Sequence, residues 1–286
     1  MARASTILRT LAVAATAALA IGLAGCEVKG GDEGEPSAYV TEGKLTIGTG
    51  EPAYYPWVID DTPESGEGYE AAVAYAVALE LGFDAEDVVW VRTTFDEAIA
   101  PGAKNFDFNL QQFSITDERK ANVDFSTPYY ETTQVVITNA ASAAAGATTI
   151  EELKGFLIGA QTGTTSLAAI EQIIAPAAGA QVFNTNDDAK LALESGTVDA
   201  IVVDLPTAFY LAGVELTDGL IIGQLPPING QKGDQFGLVL AKDSPLTVRV
   251  TNAVDTLKRT GVLDDLAAEW LADAADAPVL ELPPAP

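Results

Sequence analysis

The residues with the most chemical potential lie in FSITDERKANVDFSTPYY, Phe113 to Tyr130. There Arg119 stands three residues beyond a Ser-x-Thr turn made by Ser114 and Thr116. A guanidinium offers a planar pair of donors that fits a carboxylate, and a lone cation stands out in a chain with 41 acidic and 15 basic residues. The residue types leave two uses open: recognition of a carboxylate, or a salt bridge to Asp117, Asp124 or another surface acid.

Three further stretches could meet it in one site. GTT, Gly163 to Thr165, opens a helical segment whose free N–H groups and positive dipole end suit an anion; the same residues also make an ordinary N-cap. Asp204 ends the apolar run AIVVD, either as a carboxylate presented at a strand end or as the N-cap of a helix starting near Pro206. Glu51, Tyr54 and Trp57 fall in the loop EPAYYPW, which reads either as a ligand-facing loop or as an aromatic cap on a core. The chain has no His and one Cys, so the commonest catalytic and metal-binding toolkits are missing. No catalytic residue, metal site or cofactor is expected.

The elements that must hold these residues alternate between strand and helix, the pattern of an α/β sheet. KLTIGTG and VVWVR read as strands around the helix EGYEAAVAYAVALELGF, which carries apolar residues at helical spacing and stops at Gly82. A second series runs through TTQVVIT, FLIGAQ, AQVFNT and DAIVVD. Thr149 with Glu152 gives a capping box for IEELKG, and Thr185 or Asn186 caps NDDAKLALESG. QFGLVLA, a helix with Ser244 as N-cap and Pro245 at its first position running to Gly261, and VLDDLAAEWLAD complete the pattern.

A length of 286 residues suits about two domains. The formal net charge of −26 repels nucleic acid. Arg3 and Arg9 precede an apolar run, Leu11 to Leu23, that is too short to span a bilayer comfortably and reads as an export signal. It ends in Leu23-Ala24-Gly25-Cys26, which resembles the lipobox of bacterial lipoproteins, where cleavage before the Cys leaves a lipid on the new N-terminus. Residues 1–25 are thus expected to be a signal peptide, Cys26 the lipidated residue and 26–43 a flexible tether.

Taken in order, KLTIGT with its aromatic-Pro-aromatic loop, GYEAAVAYAVALELGF, FSITDERK, VDFSTPYY, LKGFLIGAQTGTT, GTVDAIVVD and LKRTGVLDDLAAEW make the chain similar to extracytoplasmic solute-binding proteins of the polar amino-acid type, family 3, over Lys44 to about Leu271. The resemblance implies a two-lobed, type II periplasmic-binding-protein-like α/β fold with a ligand cleft between lobes joined by two crossover strands. Lobe 1 would comprise 44–137 and 238–275, lobe 2 would comprise 139–236, and 276–286 would be a frayed tail. It further implies that Arg119 clamps the carboxylate of a free amino acid, aided by Ser114 and Thr116, with Gly163, Thr164 and Thr165 approaching from across the cleft. Asp204 would accept the ammonium, Glu51 would meet a polar or basic ligand side chain, and Tyr54 and Trp57 would wall it. Gln111 and Gln112 depart from the small residues usual there, and Gln112 is expected to add an amide contact.

The implied partners are the ligand, an ABC permease and its ATPase, and the outer face of the cytoplasmic membrane through the lipid anchor, with the protein a monomer. Two alternatives remain at this level: an enzyme on the same scaffold, like the cyclohexadienyl dehydratases, with Glu51 as the acid, or a ligand-sensing lipoprotein without a transport role.

Overall fold

The computed structural model describes residues 38–226, 233–271 and 277–281. The expected export signal, Cys26 and most of the expected tether lie outside the described residues. Among the described residues no helix is long and apolar enough to cross a membrane.

Two five-stranded sheets form the two lobes. The first sheet has the order β2-β1-β3-β12-β4, from β1 (Leu45–Gly50), β2 (Val88–Thr93), β3 (Phe108–Asn109), β4 (Val123–Phe125) and β12 (Val239–Ala241). The second has the order β10-β6-β9-β7-β8, from β6 (Gln134–Asn139), β7 (Ile158–Gln161), β8 (Gln181–Phe183), β9 (Ala200–Asp204) and β10 (Gly219–Gln224). A third, two-stranded ribbon pairs β5 (Tyr130–Thr132) with β11 (Asp234–Phe236) in antiparallel register.

Both faces of each sheet are buried, which is why its strands read as continuous apolar runs rather than as alternations. Along β6, Val135 and Ile137 enter one cluster while Val136 enters another, and along β9 Ile201 and Val203 separate from Ala200 and Val202 in the same way. The period of two divides each strand between two cores. In the first lobe, Leu45, Ile47 and Phe108 pack with Val73, Ala74 and Val77 of α1 (Tyr69–Leu81). That helix ends at Gly82 with φ of 91°, a left-handed cap that favours glycine. The long α8 (Thr247–Thr260) starts beyond Ser244-Pro245, because Ser244 Oγ accepts from the Leu246 N–H and spends a turn before the helix. The short α9 (Val262–Trp270) follows and sends Leu263 and Leu271 into the same core.

The crossovers differ from the two unbroken strands expected of TTQVVIT and QFGLVLA. Each breaks, the first at Thr133 between β5 and β6, the second at Gly237-Leu238 between β11 and β12. The outer half of each joins the hinge ribbon and the inner half enters a lobe sheet. A side chain at Gly237 would sit 2.8 Å from Ile115 Cδ1, so the break lies where the chain passes against the Ser114 turn. Because β6 pairs with β9 and β10, residues 134–137 sit in the second sheet, not in lobe 1 as the expected boundary at 137 had it.

The tail is a second correction. Within the expected frayed segment 276–286, Pro278 O accepts from the Gln224 N–H and the Leu280 N–H donates to Gln224 O, each at 2.8 Å. Glu281 bridges Thr149, and Leu280, 4% exposed, sits in the second lobe's core beside Ile222 and Leu225. Gly223 permits this, since a Cβ there would lie 2.6 Å from Pro278 O. The short pattern PVLELPPAP concealed a docked edge, since one leucine carries its burial. Leu280→Ala should therefore lower the unfolding free energy by about 2 kcal/mol in urea titrations, whereas an undocked tail would leave the midpoint unchanged.

Candidate functional site

Arg119 lies in the one-turn helix α3 (Asp117–Lys120), whose N-cap Thr116 accepts from the Arg119 N–H. The turn before it is fixed against the hinge ribbon, where Ile115 N–H donates to Gln235 O at 2.7 Å and Ser114 bridges Phe236. These bonds aim the guanidinium inward, and Arg119 is only 7% exposed. It forms no ion pair with Asp117 or Asp124; those acids bind Lys120 and Lys242. Instead Nη1 donates to Ser114 O at 2.7 Å and Nη2 to Gly163 O at 2.8 Å, one carbonyl from each lobe. Its carbon lies 5.3 Å from the Phe95 ring centroid. Burial pulls the guanidinium's pKa down, and the fields of Asp234 and Asp204 oppose that shift.

Across the cleft Asp204 occupies the N-cap position of α7 (Leu205–Tyr210), yet its side chain makes no capping bond. It accepts from Gln134 Nε2 at 2.8 Å. The same nitrogen donates to Asp234 Oδ2 at 2.6 Å, and Ser166 Oγ donates to Gln134 Oε1 at 2.6 Å. One glutamine thus joins the second lobe to the hinge ribbon. Burial, with Asp234 beside it, pushes the Asp204 carboxyl up to about 8. Thr164 caps α5 (Thr165–Ala169) by accepting from Leu167 N, and Thr165 Oγ1 lies 3.0 Å from Ser114 Oγ across the cleft.

A cavity of about 300 Å³ collects these groups. Glu51, Tyr54, Gln112, Arg119, Thr164, Thr165 and Asp204 all line it, as expected residues, together with Gln111, Glu70 and Asp96. Tyr54 faces Thr185 and Asp187 of the other lobe, and burial pushes its hydroxyl up to about 12. Thr116 and Gly163 line a second cavity on the hinge side, which Arg119, Thr164 and Thr165 share. Ser114 reaches the site through its carbonyl and its hydroxyl rather than as a wall. Gln111 and Gln112 turn their amides into the protein, to Thr93 Oγ1 and to Glu70. Gln112 has φ of 52°, a costly left-handed backbone for a non-glycine residue, and its N–H is held by Glu70 Oε1 at 2.8 Å.

Trp57 corrects the expected pocket wall. It is 0% exposed and lies in the first lobe's core, with rings of Tyr69, Tyr130 and Phe236 within about 6 Å. Its indole N–H donates to Thr207 Oγ1 of the second lobe at 3.0 Å. The apolar face found better partners in the core than in a cleft.

Glu70, Gln134 and Asp234 escaped the sequence reading. Gln134 left a faint signal, a long polar side chain inside the strand-like TTQVVIT. Glu70 left none, since an acid in the first turn of a helix is ordinary. Among the described residues no group of His, Cys, Asp and Glu is arranged to hold a metal ion. Trp57→Ala should cost about 3–5 kcal/mol of stability without any ligand present, read by urea unfolding; a residue that served only as a cleft wall would leave that midpoint in place.

The chain is similar to known proteins in sequence and in fold. The L-arginine-binding protein of Pseudomonas aeruginosa is 29% identical over 227 residues, covering 74% of this chain and 82% of that protein. An ancestral arginine-binding protein, solved with arginine and also with glutamine, superposes with a TM-score of 0.66 at 29% identity, covering 80% of this chain and 98% of that one. An ancestral amino-acid-binding protein described as a precursor of cyclohexadienyl dehydratase gives a TM-score of 0.66 at 30% identity, over 80% of this chain and 95% of that one. Residues 45–273 match the model of the bacterial extracellular solute-binding proteins, family 3, and the chain belongs to that family.

Proposed function

We propose that this protein is the receptor of an ABC importer for a free α-amino acid with a polar or basic side chain, closing its two lobes around the ligand. The observation that carries the reading is that a buried guanidinium from one lobe and a carboxylate from the other, Arg119 and Asp204, line one cavity of amino-acid size. A zwitterion loses much hydration on entering such a space unless each charge meets its opposite. Arg119 has N–H groups beyond the two spent on carbonyls, and these receive the α-carboxylate, with Ser114 and Thr165 beside it. Asp204 receives the ammonium through the oxygen that Gln134 does not occupy. Tyr54 and Glu51 bound the ligand's side chain.

Closure follows from where these groups sit. Arg119 reaches Gly163 O and Ser114 reaches Thr165 only when the lobes meet, so a ligand that bridges both sides favours the closed state by its differential affinity. The closed form would then dock on the permease, with the protein a monomer tethered by lipid on Cys26 outside the cytoplasmic membrane. Membership of an extracellular family, the Leu-Ala-Gly-Cys sequence and the relative's name support these assignments. The dehydratase alternative named Glu51 as its acid, and Glu51 is exposed to water, while relatives described as amino-acid-binding proteins support the receptor reading.

A thermal-shift screen of the protein against the common amino acids tests the reading. Ligand at about a hundred times its dissociation constant should add about 2.7 kcal/mol of stability. Arg119→Ala should abolish that response while the ligand-free protein still unfolds cooperatively. An unchanged response in the variant would remove Arg119 as the carboxylate clamp.

A further inference from the structure

Glu70 is a buried acid of the cleft cavity that the receptor reading leaves without a task. It is the second residue of α1, 2% exposed, and it shares the cavity with Asp204 and Arg119. Its carboxylate accepts from the Gln112 N–H, from Gln112 Nε2 and from the Tyr129 hydroxyl. All three donors are neutral. Among the described residues no Lys or Arg forms an ion pair with Glu70 or with Asp204. The titratable groups that face it are Tyr69 on its own helix, Tyr129 at the start of β5, and Asp204 at the end of β9. Both tyrosines are pushed up by burial and stay neutral. On the other walls Arg119 is the only base, and Glu51 and Asp96 are exposed to water.

The charges can then be followed through binding. Arg119 neutralises the α-carboxylate and Asp204 the α-ammonium, which leaves Glu70 as a dry carboxylate supported by neutral donors alone. Such a group is held either by a proton or by a cation.

Building on the receptor reading, we propose that Glu70 is the specificity-determining residue of the cleft. It accepts the cationic side chain of a basic amino acid as its counter-ion, and takes up one proton from water when a neutral amino acid is bound instead. The geometry has a consequence in pH, because burial already pushes this carboxyl up to about 7 against the pull of Tyr129 and Gln112. A cationic ligand favours the charged carboxylate, so its binding releases the proton and its affinity rises as the pH climbs through that value. A neutral ligand favours the protonated form, so its affinity falls over the same range. Asp204 also titrates, but it meets the ammonium that both ligands carry, and its contribution cancels in their ratio.

Calorimetric titration of the full-length protein with L-arginine and with L-glutamine tests this. The ratio of the glutamine Kd to the arginine Kd should rise about tenfold per pH unit, so about a hundredfold between about pH 6 and about pH 8. Glu70→Gln should flatten that rise and lower the preference for arginine. Tyr129→Phe deletes a donor to the charged form, so it should move the rise to higher pH; this second variant keeps the test decisive if Glu70→Gln does not fold. A flat ratio in the unmodified protein, or an equal rise in Glu70→Gln, would overturn the assignment while leaving the receptor reading in place. Failure of arginine and of glutamine to bind would overturn this inference, and failure of every common amino acid in the thermal-shift screen would overturn the receptor reading with it.

Discussion

A guanidinium buried in the protein with no salt-bridge partner among the described residues is the constraint around which the cleft is organised. Arg119 is buried between Phe95 and two backbone carbonyls, and each carbonyl comes from a different lobe. Carbonyl dipoles offset part of its lost hydration but not its charge. The remainder comes from the field of Asp204 and Asp234, which are near enough to oppose the effect of burial. The arginine therefore links the two lobes electrostatically as well as through hydrogen bonds. Parting the lobes would free Gly163 O and rehydrate the guanidinium, two effects that act in opposite directions on opening.

The hinge is built to permit that motion without disturbing either core. Both crossovers are interrupted where they leave the β5–β11 ribbon, so rotation can be absorbed at Thr133 and Gly237 while the lobe sheets stay intact. The tail adds a third covalent passage from lobe to lobe. Leu271 is held in the first lobe's core and Leu280 in the second's, next to Gln224 at the end of β10. Thr133 Oγ1 also donates to Gln224 Oε1 at 2.6 Å, so the tail and the first crossover meet at one residue. Its docking lies beside the hinge rather than at the rim of the cleft, where a strap would resist opening most strongly.

Much of this was legible from the residues. The helix of α1 with its stop at Gly82, the capping boxes and the apolar strands carry local signals strong enough to read without partners. Arg119 and Asp204 stand out as charged residues in a tight turn and at the end of an apolar run, but their types left a salt bridge and an N-cap open, and only the family resemblance chose between the uses. What escaped reading depends on long-range pairing. The breaks in TTQVVIT and QFGLVLA follow from each strand meeting the other across some hundred residues, and nothing in either segment alone reports that. Trp57 illustrates the limit for side chains: the same EPAYYPW loop sends Tyr54 to the cavity and Trp57 to the core, and only the packing of Tyr69, Tyr130 and Phe236 decides which ring goes where.

The same distinction separates two sources of charge in this molecule. The chain carries a net charge of −26, and most acids among the described residues are exposed, where salt at about 0.1 M screens interactions beyond about 10 Å. It can raise the encounter rate of cations, but it cannot tell one bound amino acid from another. Glu70 and Arg119 are buried and Asp204 is half-buried beside them at the cavity, and there a single uncompensated charge outweighs many on the surface. Selection among ligands therefore depends on the few buried groups whose hydrogen bonds are supplied by Gln112, Tyr129 and Gln134. Those three neutral side chains carry no charge to the ligand. They determine how strongly each buried acid holds its proton, and through that how the cleft responds to the charge of what enters it.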